Sequence, residues 1–400
     1  MQKNRRRIAF LAFAMYFLTG AACIVVGSSL PHLVELYQVP LDKVVLLGSA
    51  YAFGRVLTVY VTGRLVERLG PLKVLAAGVI LIALFLLGIP TLQYYYAGLF
   101  FAFLGGVGMG AQDTVCPVLL SIVYPRHYDG SLSAGQALFG LGSFATPFLV
   151  GVMLAGKLPF YYSYYCLLIV PVIMLGCIPF VRLQKESGEV GGEEKVQPLY
   201  TKHRVVAYGA IIFLCAAYCA AVSTLGLYIS SFAEDLGVSR SNAAFMLTVY
   251  NIGSVAGSFA FVFVLKRIKA QTVLMFNQLF AFIVILAALF INMVAFYFIG
   301  VFLAGLFLGV LFSVIVAIAT RIGYQHISVA GSFVATAGGI SDIITPMVTG
   351  FLVGRVGIGF SFRYALIMVA LGGLAAVILR LSTTERMPAV KNNKTSGGGN

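Results

Sequence analysis

Charge is scarce in this 400-residue chain. Only 10% of residues are Asp, Glu, Lys or Arg, 60% are hydrophobic, and mean hydropathy is +0.98. No soluble domain can bury that much apolar side chain in its core. Tryptophan is absent, and the four histidines (His32, His127, His203 and His326) fall at predicted helix ends or in loops, poor places for a proton relay. The six cysteines (Cys23, Cys116, Cys166, Cys177, Cys215 and Cys219) all lie inside predicted helices. They offer no extracellular disulfide framework and read as small packing residues. Cys215 and Cys219 share a helix face, but no nearby His or carboxylate completes a metal site. The chain has no phosphate-binding Gly-Lys-Ser/Thr loop, no His-Glu-x-x-His and no Gly-x-Ser-x-Gly. Gly140-Leu-Gly-Ser-Phe-Ala145 matches a dinucleotide pattern, but it lies inside an apolar helix with no strand before it. Enzymatic, ATP-driven and cofactor-dependent chemistry are therefore not expected, nor is a metal.

The apolar residues come in continuous runs rather than in the strict alternation of a membrane β-barrel. Each run can cross about 30 Å of hydrocarbon as a helix. They predict an all-α polytopic membrane protein with twelve spans, near 8–30, 43–63, 72–92, 94–123, 132–156, 160–182, 206–232, 239–265, 271–292, 294–322, 328–354 and 360–380. The net charge of +14 is topological rather than a nucleic-acid footprint. Of 27 Lys and Arg, 21 fall on one side of these spans, five on the other, and Arg55 lies inside the second. The positive-inside rule then makes both termini cytoplasmic. The expected setting is a bacterial inner membrane, with the bilayer as partner of a monomer.

The chain also repeats itself at an offset of 199 residues. Gly27 recurs as Gly226, Glu35 as Glu234, Tyr51 as Tyr250, Gly54 as Gly253, Gly106 as Gly305 and Gly110 as Gly309. The stretch Gly140–Gly151, with Thr146-Pro147, reappears as Gly339–Gly350, with Thr345-Pro346. One spacing held from end to end implies two six-helix lobes of one architecture, with a site between them. The predicted division is an N-terminal lobe at 1–182, a polar cytoplasmic linker at 183–205, a C-terminal lobe at 206–381 and a disordered basic tail at 382–400. Thr146-Pro147 and Thr345-Pro346 are expected to bend their helices.

After the second span comes Gly63-Arg-Leu-Val-Glu-Arg-Leu-Gly-Pro-Leu-Lys73. Gly63 lets two helix ends approach and Gly70 turns the chain. Arg64, Glu67, Arg68 and Lys73 form a charge cluster able to latch neighbouring helices. This resembles the loop motif of the major facilitator superfamily, Gly-x-Leu-Ala-Asp-Arg-x-Gly-Arg-Lys, with Glu67 in place of Asp and Pro71-Leu72 altering its end. The second half keeps only Lys266-Arg267 of it. With the twelve spans and the repeat, the resemblance covers the whole chain. It implies two lobes related by an axis along the membrane normal, rocking around a central site in alternating access.

Ionisable residues inside apolar spans are costly and are functional candidates by default. There are three: Arg55 in span 2, Asp113 in span 4 and Asp342 in span 11. Arg55 and Asp113 lie at similar depth, so a pair bonded directly or through substrate is feasible. They occupy the repeat positions of Ser254 and Phe312, and Asp342 that of Ser143, so the charges break the symmetry of the scaffold. Asp113 or Asp342 is expected to carry a coupling proton. Arg55, Gln112, Gln136, Asn251, Tyr51, Tyr250 and Phe139 are the substrate-binding candidates. Gly110-Ala-Gln-Asp-Thr-Val-Cys-Pro117 resembles the fourth helix of the fucose-galactose-proton symporter branch, where an acidic residue precedes Thr and Pro. That resemblance implies proton-coupled symport of a small polar metabolite, a sugar or an organic acid. The departures are one residue shorter spacing, Cys116 for Asn, and no acid in span 1. The alternative is a proton-driven exporter of a drug or metabolite. Against it, span 5 lacks the Gly-Pro-x-x-Gly-Gly of the superfamily's drug antiporters, and Phe101 to Gly106 lacks their Arg.

Overall fold

The computed structural model describes residues 2–124, 128–181, 200–201, 204–265, 267–291, 293–322 and 327–384. In chain order the helices are α1 Gln2–Ser28, α2 Leu30–Tyr37, α3 Leu41–Val44, α4 Leu46–Leu69, α5 Pro71–Thr91, α6 Tyr95–Val123, α7 Tyr128–Ala155, α8 Tyr161–Leu167 and α9 Ile169–Cys177. There follow α10 Arg204–Asp235, α11 Arg240–Val264, α12 Ala270–Ile291, α13 Val294–Leu308, α14 Leu311–Ile322, α15 Ile327–Val356 and α16 Gly359–Ser382. Among the described residues, eleven helices are long and apolar enough to cross a membrane. Counting Leu41–Thr58 and Val61–Leu69, which meet at 53°, as one span makes twelve.

Two predicted spans carry a local irregularity within one continuous crossing, whereas the second bends by 53° between Thr58 and Val61. The sixth divides into α8 and α9 at Leu168, where Pro171 removes the donor for the Leu167 carbonyl. The tenth divides into α13 and α14 beside Gly309. At the Thr-Pro pairs, α7 and α15 run without a break through Pro147 and Pro346. Those prolines withhold the N–H that would otherwise meet the carbonyls of Ser143 and Asp342. The predicted linker and tail are not wholly irregular. Tyr200–Thr201 (β1) pairs antiparallel with Thr383–Thr384 (β2), tying the lead-in of α10 to the end of α16. The rest of the linker and tail, with Lys266 and three of the four histidines, lies outside the described residues.

The apolar core forms two clusters. One is built almost wholly from α1–α9 and the other from α10–α16, as the repeat requires. Its helix pairs are reproduced contact for contact. Gly54 of α4 lies against the Phe103 carbonyl of α6, and Gly253 of α11 against the Phe302 carbonyl of α13. Gly106 meets the Tyr51 carbonyl, and Gly305 the Tyr250 carbonyl. A Cβ at any of these positions would strike backbone, so glycine sets the close approach that packs helices in lipid.

Among the described residues, the contacts between the lobes gather towards one end. There Gly27 of α1 rests on Gly226 of α10, two repeat partners touching across the pseudo-two-fold. Ser49 donates to the Ile343 carbonyl at 2.7 Å, and Ser241 to the Gly151 carbonyl at 2.9 Å. Arg240 pairs with Glu35 and lies 3.8 Å from Glu234. Contact persists to mid-depth, where Val56 packs on Gly339 and Val255 on Gly140. At the opposite end, Arg64, Glu67, Arg68 and Lys73 are exposed and make no ion pair among the described residues.

Candidate functional site

The cleft between the lobes collects the three intramembrane charges. Gly106 and Asp113 are seven residues apart on α6, two turns along one face. Because Gly106 seats that face on α4 at Tyr51 and Arg55, Asp113 must also point at α4. Arg55 Nε donates to Asp113 Oδ2 at 2.8 Å. The two side chains keep 35% and 26% of their surface exposed, so the pair faces the cleft rather than a sealed core. Below it, Thr62 and Thr114 share a hydroxyl contact of 2.9 Å, locking the same seam.

Across the cleft, Asp342 of α15 accepts from Ser223 of α10 at 2.8 Å. Asp342 also carries the backbone carbonyl freed by Pro346. It lies within electrostatic reach of Arg55 and of Cys23. The site therefore holds one cation between two carboxylates, one from each lobe.

The remaining candidates divide. Tyr51 borders the charges with its ring against Phe85, and its buried hydroxyl has no partner. Tyr250 is its buried counterpart. Gln112 does not face the cleft, because its carbonyl accepts from Thr19 at 3.2 Å inside the α1–α6 seam. Asn251 is buried and turns its amide back to the Leu247 carbonyl of its own helix, at 3.0 Å. Gln136 is exposed on α7, while Phe139 is half-buried against the N-lobe core. Glycine positions explain the difference. Residues in register with Gly106 reach the cleft, and Gln112, one residue before Asp113, is turned about 100° away.

Sequence reasoning missed two features. Cys23 was expected to be packing, but it is exposed beside Arg55, Asp113 and Asp342. The signal was present: Cys23 lies one turn before Gly27, on the face where α1 crosses α10. The other is an aromatic wall. Phe312, the repeat partner of Asp113, is 41% exposed and stacks on Tyr218 at 6.4 Å. Where one lobe has a carboxylate, the other has a ring, and Tyr218 itself is buried in the C-lobe core. No group of three or more His, Cys, Asp or Glu that could hold a metal occurs among the described residues.

Comparison with known proteins agrees with this architecture. The family model described as "Major Facilitator Superfamily" matches residues 12–232 and 209–399. An uncharacterized MFS-type transporter of Bacillus subtilis, YfkL, is 23% identical over 390 residues, covering 95% of this chain and 97% of its own. Protein TsgA of Salmonella typhi is 25% identical over 372 residues, covering 88% and 90%. Among solved structures, a D-xylose-proton symporter superposes with TM-score 0.76 at 13% identity, over 96% of this chain and 98% of that one. A bacterial homologue of the lysosomal transporter Spinster, inward-facing and unoccupied, gives 0.72 at 13% identity over 97% and 100%. The transporter FucP, outward-facing, gives 0.61 at 17% identity over 93% and 98%.

Proposed function

The chain belongs to the major facilitator superfamily as a membrane transporter, and from that premise we propose that it performs proton-coupled symport of a small polar metabolite, a sugar or an organic acid. The observation that carries this reading is the Arg55–Asp113 pair at 2.8 Å, open to a cleft that also holds Asp342. A guanidinium shared between two acids is a switch with discrete states. While Asp113 is ionised, Arg55 is held on α6. Protonation of Asp113 removes that hold, and Arg55 becomes free to bind substrate oxygens or to turn towards Asp342. Asp342, bonded to Ser223, reports the same proton to the C-lobe. The Tyr218–Phe312 wall offers the apolar face of a small substrate a surface opposite the charges.

The excess of basic residues on one side supports a cytoplasmic 63–73 loop, with the cleft opening inward and Arg240 with Glu35 and Glu234 at the closed outer end. Both termini are then cytoplasmic, in a bacterial inner membrane.

The test is uptake of labelled sugars, organic acids and cationic dyes into proteoliposomes, with and without an inward proton gradient. Gradient-driven accumulation of a sugar or acid, lost in Asp113→Asn or Asp342→Asn while counterflow persists, is the expected result. Extrusion of dye, indifferent to both carboxylates, would replace symport with export.

A further inference from the structure

A groove of about 500 Å³ runs along the C-lobe between α10, α15 and α16. That volume is within the range of small-molecule sites. Ala216, Ala217 and Ala220 of α10 form its floor. One wall is α15 from Phe333 to Thr345, and the other is Tyr364, Met368 and Leu371 of α16. Ile340 and Ile344 stand two residues to either side of Asp342, roughly 200° around α15 at about 100° per residue. The groove therefore opens away from the central cleft, towards the bilayer. Phe213, Phe333, Ile340 and Ile344 at its mouth are each half-exposed.

The repeat partners of these residues show how the shape arises. At the positions of Ala216 and Ala217 the N-lobe has Phe17 and Leu18, and Leu18 is wholly buried. At the positions of Phe333 and Ile344 it has Ala134 and Ala145. On the same scaffold, then, the C-lobe carries its bulk at the rim instead of the floor, which deepens the groove. Ser341 donates to the Ala216 carbonyl at 2.7 Å, and its hydroxyl lies 3.5 Å from that of Thr345, so these polar groups are engaged within the protein. No charged residue lines the groove among the described residues. Such a wall offers a polar ligand nothing, and at this depth its surroundings are hydrocarbon. From Phe333 to Thr345, α15 rises about 18 Å at about 1.5 Å per residue. That is close to one leaflet's half of a hydrocarbon core of about 30 Å, the reach of a single acyl chain.

We propose that this groove seats one acyl chain of a bilayer phospholipid, retained apart from the exchanging lipid around the protein. The chain takes the place of the floor side chains that the N-lobe has and the C-lobe lacks. It gains there the dispersion contacts that drive packing where all the surroundings are apolar. Seated between α15 and α16, it braces α15 against α10. The opposite face of α15 carries Asp342, bonded to Ser223 of α10, so the lipid supports the helix contact on which that bond depends.

The chain has no tryptophan, so one introduced indole reports alone. Phe213→Trp places it at the mouth of the groove, and Phe290→Trp, at a position 80% exposed on α12, is the control. Each purified, delipidated full-length protein is titrated in detergent with a phosphatidylcholine brominated on its acyl chains, and indole quenching is read. The expected result is saturable quenching near one lipid per chain in Phe213→Trp, and only a gradual, unsaturated rise in Phe290→Trp. Adding Ala216→Phe/Ala217→Leu, which restores the N-lobe floor, should weaken the saturable phase at least about tenfold, or about 1.4 kcal/mol. Gel filtration verifies folding, and Ala217→Leu alone carries the test if the double change prevents it. Equal titrations at the two reporters, a saturable phase untouched by the filled floor, or displacement by an aromatic dye but not by unlabelled phospholipid would each overturn the proposal. Lipid should also raise the melting temperature of the protein with its own floor more than that of the filled variant. Binding without that difference would overturn the bracing role.

Discussion

Gly27 and Gly226 are repeat partners in contact, yet they should respond very differently to the same substitution. A Cβ on Gly27 would lie 2.9 Å from the Gly226 carbonyl carbon and 3.0 Å from the Leu227 Cα, with the carbonyl oxygen closer still. All three are backbone atoms of α10 and cannot swing aside. A Cβ on Gly226 meets only the Cδ1 of Ile24, at 3.1 Å, the flexible tip of a side chain. Gly27→Ala therefore pushes α1 and α10 apart by roughly 1 Å, at the cost of overpacking, about 1–3 kcal/mol. The contact exists only with this end closed, so the penalty falls on the state described here and not on its alternate. The equilibrium should shift about 5- to 150-fold towards the state open at the other side.

The assay is alkylation of Cys23 by an impermeant maleimide in membranes, with the other five cysteines replaced. Cys23 is exposed in the present state, and its rate should fall as that state is depopulated. Gly226→Ala should change the rate by no more than about twofold, the scale of an accommodated substitution. Equal effects from the two variants, or a faster rate in Gly27→Ala, would refute the argument that this crossing is the point on which the lobes close.

Three further outcomes follow from other contacts. Arg55→Met and Asp113→Leu should each destabilise the protein by about 1–3 kcal/mol. The range lies below that of a fully buried pair because both partners are partly exposed. The double variant should recover most of that loss in a thermal melt yet remain inactive in uptake, whereas a purely structural pair would recover both. Arg240→Gln, at a pair half-exposed on both sides, should cost at most about 1 kcal/mol. It should therefore slow Cys23 alkylation by no more than about fivefold, less than Gly27→Ala. His32 lies outside the spans, stacked on Phe160 at 5.3 Å with both ring nitrogens unpaired. Burial, and secondarily Arg240, lower its pKa to about 4. The folded protein thus disfavours the imidazolium that the unfolded chain accepts near pH 6.5. Stability from this group is full above pH 6.5 and is lost as pH falls towards 4, by about 3 kcal/mol. His32→Phe should flatten that part of the pH profile of thermal stability, and an unchanged profile would show that His32 does not set it.

The architecture was legible in one dimension because its causes are one-dimensional. Lipid forces every span into a continuous apolar run, and a duplicated scaffold must keep its spacing. The recurrence of Gly54 as Gly253 and of Gly106 as Gly305 marked the two halves as one scaffold, while the helices these glycines press together came from the structure. The Arg55–Asp113 pair was legible for a similar reason, since depth along a helix can be counted in residues. Orientation around a helix axis could not be read in this way. A helix that is apolar on every side has no polar face to show which way its few polar residues turn. Gln112 and Asp113 are neighbours in the chain, yet one closes a seam with Thr19 and the other faces the cleft. Asn251 is turned back on its own helix for the same reason, and Cys23 is brought into the open.

The pairing of residues 200–201 with 383–384 depends on neighbours far away in the chain. So does the choice of which end of the molecule is shut. A repeat is equally compatible with either end being closed. By itself, then, the sequence determined the helices, the two-lobed repeat and the depth of the charges, because hydrophobicity and spacing act along the chain. Only the tertiary structure decided which faces line the cleft and where the lobes close, because those follow from backbone contacts between residues about 200 positions apart, such as Gly27 and Gly226.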